Sequence, residues 1–80
     1  MNPSVVNVEV QAKYQLKLTF ENDEVRVFDA TPFLDKGVFN ELKDFNYFKQ
    51  VKVAFGSIEW PHEQDLSNDT LYLLSTPSLS

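Results

Sequence analysis

Cysteine is absent from these 80 residues, which excludes disulfides and thiolate metal sites and fits a reducing compartment. Glycine occurs only twice, too rarely for a glycine-rich phosphate loop. The lone histidine, His62, is too little imidazole for an ordinary transition-metal site, so no stoichiometric metal is expected. No apolar run approaches the roughly 18 residues that span a bilayer, and MNPSVVNVEV lacks a basic leader segment. The expected address is the cytoplasm. Basic residues stop at Lys52, so four of the five net negative charges fall in the last third, on Glu59, Glu63, Asp65 and Asp69.

What is present is a core. Hydrophobic residues make up 42% of the chain and aromatic ones 14%, which argues for a packed domain and against disorder. A domain of this length buries only roughly 60% of its unfolded surface, so large rings are an efficient filling. Val6, Val8 and Val10 alternate with polar residues, as do Leu16, Leu18 and Phe20. The pattern predicts two strands with Val10 opposite Leu16, Val8 opposite Leu18 and Val6 opposite Phe20. A two-residue turn at Asn22-Asp23 then pairs Phe20 with Val25 and Leu18 with Val27, completing an antiparallel meander.

Thr31-Pro32 reads as a helix start and Gly37 as its stop. Val38, Phe39, Leu42 and Phe45 recur at helical spacing, and Asp44 suits the cap of a further turn bearing Tyr47 and Phe48. A second hairpin runs through Val51, Val53 and Phe55, turns at Gly56-Ser57, and resumes at Ile58 and Trp60 until Pro61 stops it. Trp60 is expected to be buried, closing the core between this hairpin and the C-terminal helix. After a polar loop, Ser67 caps that helix, whose apolar side is Leu71, Leu73 and Leu74. The reading is one α+β domain over 1–80, in two layers, with its core at about 5–74 and a frayed tail at 75–80. It comprises a three-stranded antiparallel meander, short helices, a second β-hairpin and a C-terminal helix.

Chemistry is thinly signalled. His62 with Glu59, Glu63 and Asp65 is the nearest approach to a metal or acid–base group, yet the spacing matches no calcium loop and no nucleophile elbow accompanies the histidine. Phe33, Phe39, Phe45 and Phe48 read as core. Lys13, Lys17, Arg26 and Lys52, with Tyr14, Thr19 and Phe28, could line a sheet face that stacks single-stranded nucleic acid. The cations are few and the domain acidic, so this domain alone is not expected to bind nucleic acid. No catalytic, cofactor-binding or metal residue is assigned, and no cofactor. The candidate partner surface is Glu59, His62, Glu63, Asp65 and Asp69, whose negative field favours a basic protein partner. The competing account is a solvated face that keeps the protein soluble. No membrane partner is expected, and a homodimer is compatible with the composition.

The run LTFENDEVRVFDATPFLDKGVFNELKDFNYFKQVKVAFGSIEWPHEQDLSNDTLY resembles the bacterial family catalogued as domain of unknown function 2442, from about Val5 to Tyr72. The matching parts are TF before an Asn-led turn, VFD, PFL, VFxELKD, and IEWP followed by DLSxDTLY. Asp23 stands where a turn glycine is common in that family, and Glu63 replaces a glycine after Trp60-Pro61. The resemblance implies a small α+β unit, found alone or joined to a helix-turn-helix domain, and in some arrangements beside a second small protein. It carries over no catalytic residues. The expected function is a non-catalytic protein-interaction module, the acidic antitoxin-like member of a small two-protein system. The alternative is a regulatory domain related to the N-terminal part of helix-turn-helix transcriptional regulators. An enzyme ranks third.

Overall fold

The computed structural model describes residues 2–78. It is an α+β fold with one four-stranded and one three-stranded antiparallel sheet. The expected meander is β1 (Val5–Gln11), β2 (Gln15–Phe20) and β3 (Val25–Asp29). Val8 faces Leu18 and Val10 faces Leu16, as the alternation requires. Val5 takes the place expected for Val6 opposite Phe20, because the register shifts between Val5 and Asn7. A bulge sets two residues against one, so only one valine can stay inside. Val5 is 2% exposed and Val6 55%. What fixes this end is Gly56, whose carbonyl accepts from Val5 N–H. At Gly56, with φ +77°, a Cβ would lie 2.8 Å from Ser4 Oγ, so only glycine fits.

Two loops share one geometry. Asp23 N–H donates to Phe20 O, and Phe20 N–H to Glu24 O; likewise Glu63 N–H donates to Trp60 O, and Trp60 N–H to Gln64 O. Each is a three-residue hairpin loop whose last member is left-handed, Asp23 at φ +68° and Glu63 at φ +71°. These are the two positions where the resemblance calls for glycine. The loop after Phe20 is therefore one residue longer than a two-residue turn, helped by Glu24 N–H donating to Asn22 Oδ1. The pairing of β3 slips by one: Thr19 faces Val25, Leu18 faces Arg26, and Leu16 faces Phe28. Phe28 becomes buried, whereas Val25 and Val27 stay half-exposed. The apolar pattern could not decide this, since Val-Arg-Val-Phe offers an apolar choice on either face. A left-handed L-residue costs about 1–2 kcal/mol, offset in part by the unfolded-state freedom glycine adds. Glu63→Gly is expected to stabilise the protein by about 0.5–1 kcal/mol, and Asp23→Gly by less because aspartate tolerates this region better. Thermal denaturation checks it; a lower melting temperature in Glu63→Gly would show that the side chain contributes more than its strain costs.

The middle of the chain is more tightly wound than its spacing predicts. Residues Thr31–Phe33 and Gly37–Lys43 are 3-10 helices. Thr31 does not cap the first: Ala30 precedes it, and Asp29 Oδ1 accepts from Thr31 N–H. Gly37, at φ +47°, opens the second helix. With three residues per turn, Phe39 and Leu42 fall in one row and Val38 in another. Leu42 is accordingly buried and Val38 is 69% exposed. Asp44 then caps α1 (Phe45–Phe48) by accepting from Asn46 N–H, and Tyr47 and Phe48 turn inward as expected.

The second sheet is β4 (Lys52–Ala54), β5 (Ser57–Glu59) and a strand not anticipated in the polar loop, β6 (Asp65–Leu66). Ala54 pairs with Ser57, so the β4–β5 turn is Phe55-Gly56 and not Gly56-Ser57. Trp60 is 1% exposed; its indole N–H donates to Phe48 O, and its ring lies 5.9 Å from that of Phe48. Those contacts tie it to α1. In α2 (Asn68–Leu74), capped by Ser67, only Leu71 is buried, while Leu73 and Leu74 face outward. Residues 75–78, expected to fray, instead return to the first sheet as β7 (Thr76–Pro77) beside β3. The cause is Arg26, which the register slip turns toward this segment. Its Nε donates to Ser75 Oγ, one terminal nitrogen donates to Ser75 O, both at 2.8 Å, and the other bonds Glu24. The guanidinium lies 4.5 Å from the centre of the Tyr72 ring. Tyr72 donates to Glu24, and that bond is the main reason the Glu24 carboxyl is held below its usual range. Leu79 and Ser80 of the expected tail lie outside the described residues.

Candidate functional site

The alternation of the second sheet divides its side chains. Val53, Ile58 and Leu66 turn to the core, and Lys52, Ala54, Ser57, Glu59 and Asp65 share the other face. Ile58 and Leu66 are buried in the core, and the partly buried Val53 packs against it. On the outer face, Asp65 stands directly opposite Glu59, and Lys52 stands opposite Glu59 on the other side. Like charges placed so are mutually destabilising. The sequence reading found no base after Lys52, yet the register returns Lys52 to this row. Small Ala54 and Ser57 leave a depression of about 320 Å³, whose lining includes Phe55, Glu59, Asp65, Leu66 and Asn68. The Ser57 hydroxyl donates to the Leu66 carbonyl and holds β6 to β5 at its floor.

Of the five candidate surface residues, Glu59 and Asp65 are brought together here. Glu63 is exposed on the loop at one end of β5, and Asp69 is exposed in the first turn of α2. Asp69 also accepts from Asn2 Nδ2 at 3.0 Å, while Asn68 Nδ2 donates to the carbonyls of Asn2 and Pro3, so this corner anchors the start of the chain. His62 is drawn elsewhere. Its Nδ1 lies 2.7 and 2.9 Å from the carboxylate oxygens of Glu41, and an ionised carboxylate only accepts, so Nδ1 carries the proton. Glu41, left to solvent by the helical spacing, is held below its usual range, chiefly by His62 and then by Gln64.

Gln64 organises this second group and had no signal in the sequence. It is 4% exposed. Its Oε1 accepts from Tyr47 Oη at 2.6 Å, and its Nε2 donates to Val38 O and to Glu41. Tyr47 Oη in turn accepts from His62 N–H. The arrangement pins the Trp60–Gln64 loop to the 3-10 helix and to α1. It presents a carboxylate–imidazole pair whose hydrogen bond goes to Glu41 and not to a hydroxyl. Among the described residues, no three His, Cys, Asp or Glu side chains converge on a metal position. Among the same residues, no helix is long and apolar enough to cross a membrane.

The residues considered for stacking nucleic acid are divided between environments. Lys17 is on the outer face of the first sheet, opposite Val27, while Arg26 and Phe28 share the inner face with Leu18 and Leu16. Tyr14 packs edge-on against Phe45 and Phe48 and donates to the Lys43 carbonyl.

A family described as "Protein of unknown function (DUF2442)" matches residues 5–77, nearly the whole chain. Neither a curated protein nor a solved structure matches it.

Proposed function

The chain belongs to the DUF2442 family, and from that premise we propose that it is a non-catalytic, cytoplasmic protein-interaction module whose partner is basic. The observation that supports this reading is the Glu59–Asp65 pair, two carboxylates set opposite each other on the outer face of a small sheet. Apposed like charges raise the energy of the free protein; Lys52 on the other side of Glu59 offsets part of this, and a cationic partner would relieve the rest. Glu63 and Asp69 extend the negative field to either end of the hairpin. The antitoxin-like role implied by the family resemblance is one form of such a partnership.

The test reverses two exposed charges away from every buried contact, Glu63→Lys and Asp65→Lys together. With the basic partner identified by capture from the native cell, the double variant is expected to bind more weakly at an unchanged melting temperature. The loss should shrink as salt rises, since the screening length falls to about 8 Å at physiological strength. Equal binding by parent and double variant at low salt would reduce the acidic face to a solubility feature.

A further inference from the structure

Phe55 is the least expected side chain on the surface. It is fully solvent-exposed, with a relative exposure of 104%. It also occupies the first central position of a two-residue hairpin turn at φ +53°, followed by Gly56 at φ +77°. Both positive values are the signature of a type I′ turn, where Asn-Gly is strongly preferred. A bulky ring at positive φ is an outlier. The position therefore carries two unfavourable choices at once: a strained backbone, held by a turn that Gly56 ties to Val5, and an unburied ring, which the described residues leave uncovered.

The ring borders the depression that holds the apposed carboxylates. Phe55 lies on the rim at the β4–β5 turn, Ala54 and Ser57 form the floor, and Glu59 and Asp65 stand further along the same face. A volume of about 320 Å³ is at the small end for ligand sites, which run from about 300 to 1,000 Å³. It suits one long side chain better than a cofactor. We propose that this groove receives an arginine from the basic partner, its guanidinium bridging Glu59 and Asp65 and its flank lying against Phe55. The proposal rests on the basic-partner reading and names the anchor within it. Arginine fits better than lysine because a planar, five-donor fork can engage two carboxylates and stack on a ring at the same time. Arginine is also one of the residue types enriched at interface hot spots.

The experiment titrates the ¹⁵N-labelled full chain with N-acetyl-arginine amide, with its lysine counterpart, and with neutral N-acetyl-citrulline amide. The arginine compound should give saturable amide shifts confined to residues 54–59 and 65–68, the lysine compound weaker ones, and citrulline none. The informative variant is Phe55→Asn, which suits a type I′ turn better than phenylalanine and so should melt at or above the parent temperature. Its affinity for the arginine amide should nevertheless fall by about two- to fivefold, the loss expected for one exposed cation–π contact. Undiminished binding by Phe55→Asn, or equal binding of arginine and citrulline, would overturn the anchor. So would shifts that spread evenly to Glu63 and Asp69. Those outcomes leave the basic-partner reading standing. That reading fails separately if a hexalysine peptide does not bind the parent at low salt.

Discussion

The Trp60→Ala variant should unfold far more readily than the parent protein. Trp60 is among the largest fully buried side chains, and it joins the β5 end to α1 through both its ring and its indole N–H. Truncating a buried tryptophan costs about 3–5 kcal/mol, while a domain this size has about 4–12 kcal/mol in all. The same change removes the shorter of the two hydrogen bonds to the Phe48 carbonyl, leaving it only Val51 N–H at 3.3 Å. Its backbone also starts the three-residue loop, with Trp60 N–H on Gln64 O and Trp60 O on Glu63 N–H, so a collapse there spreads into β6. Urea titration followed by far-ultraviolet circular dichroism is the measurement. A variant whose midpoint stays close to the parent's would contradict the burial on which the core rests.

Gln64→Ala is expected to cost about 2–3 kcal/mol, although nothing about the residue type suggests it. Removing the amide deprives the buried Tyr47 hydroxyl of its acceptor and Glu41 of a donor, and an unsatisfied buried polar group costs about 1–3 kcal/mol. Gln64→Leu separates the contributions: it keeps volume but not hydrogen bonds, so a Leu variant as stable as the parent would assign the effect to packing. A pH dependence accompanies the loss. The Glu41 carboxyl is shifted downward in the folded state, so its contribution is present above its unfolded value and disappears as pH falls through the lower folded value. The Glu24 carboxyl behaves in the same sense through Tyr72. Parent stability should therefore fall in the acid range. The fall should be shallower in Gln64→Ala, where one of the groups holding Glu41 down is gone.

Where the alternation was one-sided, the sequence was legible. Leu16, Leu18 and Phe20 had a single apolar face, and all three are fully buried on it. The registers at Val8 and Val10 followed for the same reason, and the Asp44 cap from the side-chain acceptor that aspartate brings to a helix start. Where two choices were equally apolar, pattern alone failed. The β3 register turned on a three-residue loop whose left-handed Asp23 is invisible to hydrophobic spacing, and Arg26 moved with it to clasp Ser75. The 3-10 winding of residues 37–43 differs from an α-helix by only a fraction of a residue per turn, enough to put Val38 outside. Of the five acidic-surface candidates the structure brings only Glu59 and Asp65 together. Glu59 and Asp65 meet because β6 exists, and a two-residue strand is too short to show a period. His62 left the group because Glu41, 21 residues earlier, accepts its ring N–H.

The strands at the margins of the four-stranded sheet bear on how the molecule resists clumping. An unpaired margin is a template on which foreign strands can polymerise. On the β3 side that margin is covered by β7, only two residues long, and one of them is a proline with no N–H to offer. On the β1 side the backbone kinks between Val5 and Asn7, and its first N–H is already committed to Gly56. The smaller sheet ends in strands of three and two residues. Among the described residues each margin is thus short, kinked at one end or short of an N–H, which leaves less regular ladder for amyloid-like stacking than a straight, long edge would.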